Sequence, residues 1–120
     1  MEVSLKFYQQ CVKKLLSQYE SLKDENSQIK LIFDDERMHY MAVWVGWHEY
    51  KRIHQCAVHI DIVGERIFIE CNDTEDPLVA ELVEMGVSQD NISLSFIHPK
   101  KLEYVEQEKD IAYQSLNVCK

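Results

Sequence analysis

His54, Cys56 and His59 gather the side chains that bind zinc into one short run. On a strand, residues 54 and 56 share a face while 59 points to the other, so the three do not converge without a bulge. No metal site is therefore expected. His59 and Asp61 do share a face, and a carboxylate beside a histidine orients a general base. No nucleophile accompanies them, because none of the serines stands in the glycine-flanked turn of a nucleophile elbow. A structural hydrogen bond or an interface contact is the reading for His59 and Asp61, with a small hydrolase built on the pair as a minor alternative. Asp34, Asp35 and Glu36 offer clustered oxygens to a hard cation. Three acids before Arg37 are better read as a solvated turn with a local ion pair.

Trp44, Trp47 and Tyr50 form the densest aromatic cluster. Residues 44 and 50 share a parity that 47 does not, so at least one indole reaches the opposite side of a regular strand. Large, stiff aromatics of that kind suit interfaces. Charge points the same way. The net charge is −8, and between Arg66 and Lys100 there are seven acids and no Lys or Arg. Glu75, Glu81 and Glu84 belong to this run. Such a surface repels phosphate backbones and attracts a basic partner, so tight direct DNA binding is not expected. Glycine-rich phosphate loops, zinc fingers and basic recognition helices are absent from the sequence. No catalytic residue and no cofactor is assigned.

The elements that must position these side chains are legible from periodicity. Leu5, Tyr8, Val12, Leu15, Tyr19 and Leu22 recur at three and four, which predicts an amphipathic helix of about five turns. Asp24-Glu25-Asn26-Ser27 ends it. Alternation at Ile29, Leu31 and Phe33 gives a strand, Asp34 to Arg37 a hairpin connection, and the stretch from Met38 to Trp47 a second strand. From Tyr50 to Ile62 the period is again two, with Cys56, Val58, Ile60 and Ile62 on one face and Gln55, Ala57, His59 and Asp61 on the other. Gly64 turns the chain back into a strand that carries Ile67 and Ile69 inward. Pro77 behind an Asp76 cap opens a second helix with Leu78, Val79, Leu82, Val83 and Met85 as its buried stripe, and Gly86 closes it. Ile92, Leu94 and Phe96 make a last strand, broken by Pro99. The fold class is α+β: a largely antiparallel sheet with an N-terminal helix and a second short helix packed on it, in the order α-β-β-β-β-α-β.

The chain has 120 residues, enough for one core and too few for two ordinary domains, so 1–120 is read as one domain with residues 103–120 as a tail of unassigned structure. No stretch approaches the roughly 20 apolar residues of a membrane span, and a cytoplasmic protein is expected. Cys11, Cys56, Cys71 and Cys119 lie far apart without a CxxC pair and are read as free thiols.

One ordered series of phrases narrows the function further. It runs Phe33-Asp34-Asp35-Glu36-Arg37 with His39-Tyr40, Val45-Gly46-Trp47, His59-Ile60-Asp61-Ile62, Thr74-Glu75, Glu81-Leu82-Val83-Glu84-Met85-Gly86-Val87, and Asp90-Asn91-Ile92 with Phe96 and Pro99. In that order and spacing the series resembles the XisI family, controlling factors for excision of the fdxN element in cyanobacteria. The resemblance implies a non-catalytic accessory factor in programmed DNA excision, in which a separate recombinase exchanges strands. It also implies a complex with an XisH-type, nuclease-like partner. Trp44, Trp47, Gln55, His59, Asp61, Glu75, Glu81 and Glu84 are the candidate partner contacts, and homodimerisation is expected because two-faced strands must cover their edges. The alternative is an acidic inhibitor or antitoxin-like protein that blocks a nuclease by presenting carboxylates where phosphates would lie.

Overall fold

The computed structural model describes residues 5–98, and the expected 103–120 tail, Pro99 and Cys119 lie outside them. A helix, α1 (Leu5–Ser17), precedes four strands: β1 (Ser27–Asp34), β2 (His39–His48), β3 (Lys51–Val63) and β4 (Arg66–Asn72). A short helix, α2 (Leu78–Glu84), a single 3₁₀ turn at Gln89–Asn91 and strand β5 (Ile92–Leu94) follow. The strands lie side by side in chain order. The first three pairings are antiparallel and β5 runs parallel to β4, because α2 carries the chain back across the sheet. The order α-β-β-β-β-α-β is the one the periodicity predicts.

Both helices cover the same side of the sheet. Tyr8, Val12, Leu15 and Leu16 of α1 and Leu78, Val79 and Leu82 of α2 pack on Tyr40, Ala42, Val58, Ile60, Ile67 and Ile69 in one continuous core. The first helix is shorter than its apolar spacing predicts. After Ser17 the chain tightens into three-residue turns, Tyr19 N–H to Leu16 O at 3.0 Å and Leu22 N–H to Tyr19 O at 3.0 Å. The Ser17 hydroxyl, donating to Lys13 O at 2.7 Å, competes for the carbonyls of the last turn. Tyr19 remains buried beyond the helix end, whereas Leu22 is half exposed.

The connections follow from their polar residues. Asp24 Oδ1 accepts from the amides of Asn26 and Ser27, each at 2.8 Å, and those bonds hold its carboxyl below the usual range. Asp34 repeats the device with the amides of Glu36 and Arg37, and Arg37 reaches back to its carboxylate at 3.5 Å. The acidic run is thus a hairpin turn with a local ion pair, as expected. Tyr50, expected at the start of a strand, instead stands fully exposed in the two-residue turn between His48 and Lys51.

The second helix departs from expectation in two details. Pro77 occupies the capping position rather than the first helical one, and Asp76 turns its carboxylate to the Tyr19 hydroxyl at 2.6 Å. Val83 faces outward, 41 % exposed, so the buried stripe is Leu78, Val79 and Leu82. Gly86, at φ +109°, closes the helix, with Gly86 N–H on Val83 O and Val87 N–H on Leu82 O. Phe96 lies past the end of β5, in a turn.

Candidate functional site

Two β-bulges decide which side chains meet. Ala42 pairs with Val58 but Val43 pairs with Cys56, so Ala57 is the extra residue on β3. His59 pairs with Cys71 but Ile60 with Ile69, which leaves Glu70 extra on β4. The strict alternation expected along β3 therefore breaks at Ala57. Gln55 pairs with Trp44 and turns to the helix side, while Cys56 moves to the open side with His59 and Asp61. The expected face of Gln55, His59 and Asp61 is not formed, and Cys56 is not a core neighbour of Val58.

On the open side, His39 of β2 stands directly opposite Asp61 of β3, and Met41 opposite His59. Asp61 Oδ1 receives both rings, His39 Nδ1 at 2.8 Å and His59 Nε2 at 2.9 Å. The rings stand edge to face with centroids 6.3 Å apart. Asp61 is the most sheltered of the three, its side chain 19 % exposed against 54 % for His39 and 30 % for His59. Among the described residues, this is the one group of three or more His, Cys, Asp or Glu whose ligand atoms all gather within 4.8 Å. The bulge does put His54, Cys56 and His59 on one side of the sheet, but spread along the strand. Further out, Trp47 is half exposed with the Arg52 guanidinium 5.4 Å above its ring.

The helix side holds a second constellation. A cleft of about 360 Å³ opens beside the end of α1, lined by Tyr19, Leu22, Ile29, Trp44 and Gln55 and floored by Ala57 and the loop from Asp73 to Asp76. That loop is held by Asn72, which is fully buried. Its Oδ1 accepts from the Thr74 amide at 2.9 Å and from the Thr74 hydroxyl, and its Nδ2 donates to Asp76 O at 3.1 Å. Burial and the hydrogen bond to Asp76 push the Tyr19 phenol well up. Gln55 Nε2 donates to Asp73 Oδ2 at 3.0 Å across the mouth. On the same loop and on α2, Glu75 and Glu84 are exposed, and Glu81 is partly covered by Gln18, whose Nε2 donates to its carboxylate at 3.0 Å.

The expected contacts therefore separate into two groups. Trp44, Gln55, Glu75, Glu81 and Glu84 share the helix side, and Trp47, His59 and Asp61 share the open side. His39, Asn72, Asp73 and Tyr19 were not singled out from sequence. His39 was within reach: Asp34 to Arg37 reads as a hairpin turn, and continuing the strand pairing brings residue 39 opposite the far end of β3. Asn72 and Tyr19 carry no such signal, since their roles depend on a loop conformation.

Comparison with known proteins agrees with this architecture. A family model described as XisI protein matches residues 1–108. The crystal structure of a XisI-like protein from Anabaena variabilis is 40% identical, superposes with a TM-score of 0.79, and the match covers 84% of this chain and 94% of that one. The crystal structure of fdxN element excision controlling factor XisI from Anabaena variabilis is 30% identical with a TM-score of 0.70, over 81% of this chain and 96% of that one. No curated protein matches the chain.

Proposed function

The chain belongs to the XisI family, and from that premise we propose that it is a non-catalytic accessory factor in the excision of a DNA element, acting through a nuclease-like, XisH-type partner. Support for the role comes from the 30% identical structure, which is of an fdxN element excision controlling factor. The observation that carries the mechanism is where the acids lie. Asp73 and Asp76, from the run without Lys or Arg, line the cleft of Trp44 and Gln55, and Glu75 on the same loop and Glu81 and Glu84 on α2 lie on the same helix side. An acidic rim around a part-apolar cleft complements a basic, nucleic-acid-acting surface and disfavours the DNA itself. Trp44 and Gln55 supply the contact area and Glu75, Glu81 and Glu84 the steering charge.

The same exposed carboxylates also fit an inhibitor that occupies a nuclease's phosphate-binding groove. The two readings differ in consequence: an accessory factor leaves the partner active on DNA, and an inhibitor silences it. Co-expression of the tagged chain with an XisH-type protein tests the proposal. A stable complex that retains activity on DNA is expected. A complex that has lost it would favour the inhibitor, and failure of the two to co-purify would remove the proposed partner.

A further inference from the structure

We propose that His39, His59 and Asp61 form a binding site for a divalent first-row transition ion on the open side of the sheet. The inference is independent of the partner reading, because the cleft and acidic rim lie on the other side.

Three observations carry it. First, the ligand atoms already converge. Asp61 Oδ1 lies 2.8 Å from His39 Nδ1 and 2.9 Å from His59 Nε2, and the three atoms sit within 4.8 Å of one another. Metal–nitrogen and metal–oxygen bonds of about 2.1 Å place neighbouring ligands about 3.0 Å apart at right angles and about 3.4 Å apart in a tetrahedron. The two spacings from Asp61 to the imidazoles lie nearest the right-angled value.

Second, the scaffold is rigid. His59 and Asp61 are two apart on β3, hence on one face, and His39 is the direct cross-strand partner of Asp61. Strands β2 and β3 lie inside the sheet, and the residues beneath the site, Tyr40 and Ile60, are fully buried. Ligands on such elements hold their geometry better than ligands on loops.

Third, the donor set is selective. Two imidazoles and one carboxylate suit zinc, iron(II), nickel or cobalt over calcium or magnesium, which prefer all-oxygen cages. His39 is the most exposed of the three, so the open coordination positions face solvent. An ionised carboxylate only accepts, so with Asp61 charged both imidazole nitrogens donate to it. An ion takes the place of those two protons, which move to the remote ring nitrogens, so neutral histidines bind without net proton loss.

Cobalt(II) added to the purified, chelator-treated full chain gives the test, because its visible bands report donor number and geometry. We expect one equivalent to bind with nitrogen–oxygen bands and no thiolate charge-transfer band, and zinc to displace it. His39→Ala, whose ring is more than half exposed and leaves the fold intact, should weaken binding at least about tenfold. Asp61→Asn and His59→Ala should do the same, and His54→Ala should leave binding unchanged. Absence of one-to-one binding, binding insensitive to His39→Ala, or a thiolate band that assigns the ion to cysteines would each overturn the proposal.

Discussion

Gly46 shows how one residue sets the geometry of the edge pairing. It lies opposite Ser27 at φ +152°, and a Cβ there would stand 2.2 Å from Asn26 O and 2.4 Å from Ser27 Cα. Both groups are backbone or close to it and have little room to give. Gly46→Ala should therefore destabilise by more than the roughly 1 kcal/mol of an ordinary glycine substitution, and a denaturant midpoint close to the parent's would contradict this. Tyr40 makes a pH prediction. Burial first, then its hydrogen bond to Asp35, push its phenol up to about 12 from an ordinary 10.0. A raised folded-state value means that stability is fully present below pH 10 and is lost as the pH rises towards 12. Stability curves of the parent chain and Tyr40→Phe across that window should converge as the pH climbs. Parallel curves would show that the phenol does not titrate against folding.

At the scale of the elements, the buried side of β3 is the part of the fold most plainly legible in the sequence. Val58, Ile60 and Ile62 alternate as expected and are buried in the core that both helices join. Ile60→Ala should cost on the order of 2 to 5 kcal/mol. Gln55→Ala, which removes a bond to Asp73 at the rim of the cleft, should cost far less. Equal small losses in denaturant titrations would contradict the register. Periodicity failed where the pairing slips by one residue. Ala57 and Glu70 look like ordinary members of alternating strands, and only the partners across the ladder reveal that they are extra. That slip carried Gln55 to the helix side and Cys56 to the open side. The overlong first helix has a similar cause, since Tyr19 keeps helical spacing but is held by Asp76 after the helix has ended. Helix α2 was legible from its punctuation, with Pro77 before it and Gly86 after. Val83 keeps the spacing of a buried residue yet faces outward, because a seven-residue helix buries a narrow stripe.

Taken whole, the molecule has two unlike sides, and the amino-acid sequence shows only half of that asymmetry. The run of acids is countable in the sequence, but bringing Asp73 and Asp76 to a cleft takes the loop that Asn72 holds. The His59–Asp61 pair was legible from parity, and its third member was not, because cross-strand neighbours are set by turn position. The net charge of −8 and the run of acids without Lys or Arg between Arg66 and Lys100 predict that the lone protein binds duplex DNA no better than the roughly 10⁻⁴ to 10⁻⁶ M of non-specific binders. Tight sequence-specific retention in a gel shift at physiological salt would contradict that. The most direct test of the partner-docking proposal is the affinity of the chain for the proposed XisH-type partner with Glu81 and Glu84 both reversed to Lys, beside a Glu36→Lys control in the β1–β2 turn. The account predicts that the double reversal weakens the complex, that the loss shrinks as salt rises, and that the control binds like the parent. An affinity unchanged by the double reversal at low salt would contradict it.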